Sequence, residues 1–247
     1  MKVFVWLGAI TFTVVLLFFA LFGTSTQVLH ERLTLTVDTP SGPRSASGIT
    51  TVTRGEAYGF VYQQLKGMTG GATGSTMAVG TAIMLEVTPG RWLFVTRSDP
   101  WGTHDYTGMS QGTIFDPASP RSPRGTPPET IASYLRRSPP GTEIFPKRYR
   151  WPAFVTFDDL SNPKSIRIVD PDNLAASFGP GVSLRSLTLS AAQLPGDPAP
   201  LRQLLPWLCQ VQALPTASEE AEWSDLDRRL FALRQPANFS GYYCGSR

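Results

Sequence analysis

Two rhythms of apolar and polar positions run through this chain, and one stretch follows neither. Val3–Phe22 (VFVWLGAITFTVVLLFFALF) has twenty residues without a charge, with only Thr11 and Thr13 polar. A helix rises ~1.5 Å per residue, so such a run spans ~30 Å, the hydrocarbon thickness of a bilayer. Threonine hydroxyls bond back to helix carbonyls and do not spoil a span. The basic start is only Lys2 and the amino terminus, and Leu21–Thr26 offers no small-x-small cleavage site. The run also exceeds the ~7–15 apolar residues that a secretory signal needs. The pattern predicts a retained signal-anchor over residues 1–23, with a cleaved leader and a buried helix as alternatives. Lys2 and the amino terminus, set against Arg32 with Glu31 offsetting it, favour an amino terminus in the cytoplasm. Thr24–Arg32 then reads as a stalk, and the rest as extracytoplasmic.

Beyond the stalk the rhythm has period two. Leu33, Leu35 and Val37 alternate with Thr34 and Thr36, as in a half-buried strand. Thr39–Pro43 is a turn, Ser45–Thr53 a returning strand, and Ala57–Tyr62 a third candidate. Gly67–Gly80 is glycine-rich but lacks both G-x-x-x-x-G-K-[ST] and G-x-G-x-x-G, so it reads as a connecting loop rather than a phosphate cradle. Thr81–Val87 and Trp92–Arg97, joined by Thr88-Pro89-Gly90-Arg91, are apolar on both faces and predict the centre of the core. Trp151–Phe157, Ser165–Val169 and Val182–Leu189 are further strands, with a short helix from Leu174 capped by Asp172.

Helical spacing marks Glu129–Arg137, Leu201–Leu208 (interrupted at Pro206) and Ser218–Arg234. In the last, Ser218 is the expected cap, and Trp223, Leu226, Leu230 and Leu233 form one face. The predicted fold class is α+β: an N-terminal transmembrane helix, then one extracytoplasmic domain, 33–247. In that domain a mostly antiparallel sheet is packed on one side by the Glu129, Leu174 and Ser218 helices, and the part over 201–247 is helical.

Composition changes this picture little. Glycine and proline make 44 of 247 residues, above the usual ~12%, so the domain is loop-rich, and 116–128 is a Pro/Arg-rich loop. A net charge of +3 implies no whole-molecule electrostatic partner. Locally, 121–150 holds seven basic and two acidic residues. Arg136, Arg137, Lys147, Arg148 and Arg150, beside Tyr149 and Trp151, are candidates to contact an anionic surface such as lipid headgroups, the alternative being a solvated charge cluster. An exported domain has no nucleic-acid partner. Cys209 and Cys244 are an even pair in an exported chain and a candidate disulfide, with two free thiols as the alternative.

Candidate chemistry is sparse. Ser98, Asp99, His104 and Asp105 share one loop, but a metal needs three or four converging ligands and no G-x-S-x-G turn exposes a nucleophile. Asp170 and Asp172 could be paired carboxylates, against the plainer reading of turn and cap. The pattern therefore assigns no catalytic residue, no cofactor and no metal ligand.

Leu33–Val52 (LTLTVDTPSGPRSASGITTV) and Pro152–Leu189 (PAFVTFDDLSNPKSIRIVDPDNLAASFGPGVSLRSLTL) resemble a family of uncharacterised bacterial membrane-anchored envelope proteins. These carry an N-terminal membrane segment, an opening V-x-T-P-x-G hairpin and a late V-D-P-D-x-L-A-x-x-F-G-P-G block. The resemblance implies bacterial origin and attachment to the inner membrane, and it brings no reaction. The glycine-rich loop and the carboxy-terminal tail depart from the pattern. The functional expectation is a non-enzymatic, single-pass envelope protein. Its partners are the bilayer, through Val3–Phe22, and another envelope protein. The alternative is a membrane-tethered hydrolase using the 98–105 loop or the 170–172 turn.

Overall fold

The computed structural model describes residues 12–14, 24–57, 60, 64, 74–98, 135–139, 141–144, 151–210 and 222–240. They form two mostly antiparallel β-sheets with a few helices, an α+β arrangement. The chain divides into two compact units, Met1–Val28 with Val52–Met77, and Leu29–Thr51 with Ala78–Arg247.

The five-stranded sheet has the order β3-β2-β1-β9-β6: Gly74–Gly80, Arg44–Ala57, Thr24–Asp38, Ser183–Ala192 and Glu143–Ile144. The β1–β2 hairpin closes where Thr39 N donates to Gly42 O and Gly42 N to Thr39 O, with Gly42 at φ +111°. Hydroxyl pairs Thr34–Ser47 and Thr36–Ser45 line the outer face of this hairpin, while Leu35 and Val37 point inward and are fully buried. β9 runs antiparallel to β1, pairing Leu33 with Leu189 and Leu35 with Leu187, up to a register shift after Thr36.

The four-stranded sheet has the order β4-β5-β7-β8: Ile83–Thr88, Arg91–Val95, Phe154–Phe157 and Ile166–Ile168. β4 and β5 form the hairpin that the sequence predicts, turning at Pro89-Gly90 with Gly90 at φ +73°. Both faces of this sheet are covered, as its apolar pattern requires. Ile83, Leu85, Leu93, Val95 and Phe154 pack against Leu35, Val37 and Leu187 of the five-stranded sheet. On the opposite face Phe94, Val155, Phe157 and Ile166 pack with residues of the carboxy-terminal helical part, among them Leu201, Trp207, Leu233 and Phe239. There the rings of Phe94, Phe157, Trp207 and Phe239 meet at centroid distances from 5.4 to 6.0 Å.

The helices described from end to end are α1 (Leu174–Phe178), α2 (Ala199–Leu204) and α3 (Asp225–Leu233). α2 continues after Leu205 as a 3-10 turn, Pro206–Cys209, because Pro206 has no N–H to carry the α-helical ladder on.

Several expectations need correction. Thr24–Arg32, expected as a stalk, is the first half of β1. Gly74–Gly80, expected within a loop, is β3, and Gly80 lies so close to Thr50 that a Cβ would sit 2.6 Å from its Cα. One sheet packed on one side is instead two sheets, with α1 in the core between them and α3 in the core beyond. α1 is capped by Asn173, which accepts from Ala176 N, rather than by Asp172. α3 starts at Asp225, not after Ser218, and Glu222–Ser224 are not helical. Ser224 and Asp227 there form a reciprocal capping box, Ser224 Oγ accepting from Asp227 N and Asp227 Oδ2 from Ser224 N. Of the expected stripe, Leu233 is buried and Leu226 is 57% exposed.

The expected span falls mostly outside the described residues. Residues 12–14 are helical, and among the described residues no helix is long and apolar enough to cross a membrane. The 116–128 loop and most of the Glu129 helix also lie outside them, residues 135–137 being helical.

Candidate functional site

Two cavities in the unit Leu29–Thr51 with Ala78–Arg247 bring polar groups together. The first, of about 40 Å³, is lined by Glu31, Thr50, Thr81, Thr96, Arg97 and apolar neighbours. Glu31 and Arg97 are only 3% and 5% exposed, which makes them the charged side chains among the buried described residues. Glu31 arrives there because β1 keeps strict alternation: Leu29, Glu31, Leu33, Leu35 and Val37 share its inner face. Arg97 follows β5, its Nη1 donating to Ala237 O at 3.0 Å and its Nη2 to Ala78 O at 2.8 Å. Its backbone N–H donates to Asn238 O at 2.6 Å. Glycine at position 48 allows the close approach here, since a Cβ would lie 2.7 Å from Thr81 O. A water needs ~10–15 Å³ of such space, so this volume holds a few waters and no organic ligand.

The second cavity, of about 350 Å³, is lined by Pro152, Ala153, Phe154, Ile168, Val169, Asp170, Pro171 and Arg229. It lies where the chain leaves β8 and turns at Asp170-Pro171 toward α1, with α3 contributing Arg229. Its size falls in the range of small-molecule sites, ~300–1,000 Å³. It offers an acid, a guanidinium and an apolar wall, a combination suited to holding a ligand by charge and shape. Among the described residues, no histidine, cysteine, serine or threonine lines it.

The sequence-predicted residues are distributed as follows. Ser98 is fully buried; its carbonyl accepts from Ala153 N and its hydroxyl lies 3.3 Å from Thr96 Oγ1. Asp99, His104 and Asp105 lie outside the described residues. Asp170 Oδ1 accepts from Asp172 N at 2.9 Å, and its backbone carbonyl accepts from Asn173 N, the bonds of a turn leading into α1. Of this pair only Asp170 lines the cavity. Among the described residues, no group of three acidic, histidine or cysteine side chains is placed to hold a metal. Arg136 and Arg137 are exposed, while Lys147, Arg148 and Arg150 lie outside the described residues. Cys209, in the 3-10 turn after α2, is disulfide-bonded, and Cys244 lies outside the described residues.

Among the described residues, the perturbed titrations belong to turns and caps. The Ser161 hydroxyl and backbone N–H hold the Asp159 carboxyl below its ordinary value, and Ser224 does the same for Asp227. Burial lowers Arg234, whose guanidinium lies over the Phe231 ring. Sequence reasoning missed Arg97 and Arg229. Neither had a local signal, since each acquires its role from segments far away in the chain. Glu31 was missed as well, because it falls in the stretch expected to be a stalk.

Comparison with protein families, curated proteins and solved structures finds no match for this chain.

Proposed function

We propose that this is a non-enzymatic, single-pass protein of the bacterial inner membrane, holding a two-sheet binding or scaffolding part outside the cytoplasm. The observation that carries the reading is the uncharged run Val3–Phe22, of bilayer length, feeding into β1 with one residue between them. The roles of the candidate catalytic groups support it: Ser98 is buried beside Thr96, and Asp170 and Asp172 serve a turn. The 350 Å³ cavity beside Asp170 and Arg229 gives a binding part a place for a ligand, and contact with another envelope protein completes the proposal.

Alkaline phosphatase fused after Arg247 tests the topology. An active fusion in a membrane pellet that resists alkaline carbonate is expected, whereas a stable, inactive fusion refutes it. Crosslinking in intact cells, with identification of the co-purified proteins, tests the partner. Recovery of this chain alone at every crosslinker length would count against scaffolding.

A further inference from the structure

We propose that the unit Met1–Val28 with Val52–Met77 lies against the lipid surface as a second contact, beyond the span itself, through Val28, Phe60 and Met77. The inference rests on the anchor reading above and adds a surface to it. Seven large apolar side chains are exposed among the described residues, and five of them, Phe12, Val14, Val28, Phe60 and Met77, belong to this unit. Phe12 and Val14 are part of the apolar run. The other three lie outside it and are 52–66% exposed, a cost in water that a lipid surface removes.

Strand pairing groups two of the three. His30–Thr51, Thr34–Ser47 and Thr36–Ser45 fix the β1–β2 register, which puts Val28 opposite Thr53. Thr81 N donates to Ile49 O, and the same register in β3 puts Met77 opposite Thr53 from the other side. Residues directly opposite share a face, and strands are spaced ~4.8 Å, so Val28 and Met77 stand ~10 Å apart on one face of the sheet.

The outward positions of β1 grade in polarity toward the apolar run. They read Thr36, Thr34, Arg32, His30, Val28: hydroxyls, then a cation and an imidazole, then an aliphatic side chain. That is the order a strand meets on passing from water through anionic headgroups to the acyl boundary, and Arg32 is exposed and available to a phosphate.

The test uses the full chain in phosphatidylethanolamine–phosphatidylglycerol vesicles. Single variants Val28→Cys, Phe60→Cys and Met77→Cys are nitroxide-labelled without reductant, with the parent chain as labelling blank. Leu194→Cys and Leu226→Cys, at the two exposed apolar positions of the other unit, are water-facing controls. The expected result is a loss of collision with a water-soluble nickel chelate, and a gain with oxygen, at 28, 60 and 77 relative to 194 and 226. Chelate collision at 28, 60 and 77 equal to the controls, in chain that resists carbonate extraction, overturns this proposal and leaves the anchor standing. Release of the chain by carbonate overturns both.

Discussion

Phe239 is the most informative single side chain in the molecule. It is fully buried, and its ring meets Trp207 at 5.6 Å and 84°, Phe94 at 6.0 Å and 78°, and Phe157 at 5.7 Å. It arrives from the carboxy-terminal end and joins β5, β7 and the 3-10 turn after α2 in one cluster. Phe239→Ala removes the ring and leaves a cavity walled by three others, at a cost of ~3–5 kcal/mol. Within that figure the edge-on ring pairs contribute ~0.5–1.5 kcal/mol each beyond their buried area. Phe239→Leu keeps most of the apolar volume and loses the ring geometry, so it should cost about 1–2 kcal/mol. The assay is urea unfolding of the full chain in detergent, followed by tryptophan fluorescence, with Trp207 inside the cluster. Leu226→Ala, at an exposed position of α3, is the control and should stay within about 0.5 kcal/mol of the parent. A Phe239→Ala cost below about 1 kcal/mol, or a Phe239→Leu cost equal to it, would refute the claim that this ring closes the second core.

Gly48→Ala places a Cβ 2.7 Å from a backbone oxygen, that of Thr81, and 3.2 Å from Ile83 Cγ1. The overpacking should destabilise by about 1–3 kcal/mol, read as a lower denaturation midpoint, and an unchanged midpoint would contradict the close approach. Ser224→Ala removes the N-cap of α3 and should cost about 1 kcal/mol in the same assay. It should also alter the acid limb of stability. The Asp227 carboxyl is held below its ordinary value of 3.8 chiefly by the Ser224 hydroxyl. Its contribution is therefore complete above that value and is lost as pH falls through the lower folded one. The variant should show a shallower fall in melting temperature on acidification, and a fall as steep as the parent's would count against the cap. Cys209 and Cys244 should resist alkylation without reductant in mass spectrometry. Cys209→Ser should cost about 3–4 kcal/mol, and modification of both thiols in the parent would refute the bridge.

What the sequence showed and what it hid differ for physical reasons. The β4–β5 hairpin was legible because Pro89-Gly90 supplies the turn and Leu93, Phe94 and Val95 are apolar in succession, which only a strand covered on both faces tolerates. That the second cover is another sheet was not legible, because alternation shows which face is buried and not what buries it. The start of β1 was hidden by its own charges: His30, Glu31 and Arg32 interrupt the apolar pattern, and only the burial of Leu29 and Glu31 reveals that they continue the inner stripe. The cap of α3 was misplaced because Ser218 is followed by acids, while Ser224-Asp225-Leu226-Asp227 supplies the reciprocal box. At the larger cavity, the plainer reading of Asp170 and Asp172 as a turn agrees with their hydrogen bond, and what the sequence did not show is that Arg229, from a helix some sixty residues on, lines the same recess as Asp170.

The buried charges explain why the two sheets have one arrangement and not several. A one-residue slip of β1 would turn Arg32 and His30 inward and Glu31 out, and would bring the outer threonines Thr34 and Thr36 into the core. Glu31 itself adds little stability there, since burying charge is costly and apolar packing at the same place would be at least as stable. Arg97 lines the same cavity. Its fork and backbone N–H reach Ala78 in β3 and Ala237 and Asn238 in the 3-10 turn Pro236–Asn238, two segments that apolar contact alone could slide past one another. Two separate carbonyls held by one planar guanidinium fix both distance and angle, which an ammonium on a flexible stem does not. The 40 Å³ cavity that Glu31 and Arg97 line is too small for an organic ligand, and the ligand-sized space lies elsewhere, beside Asp170 and Arg229.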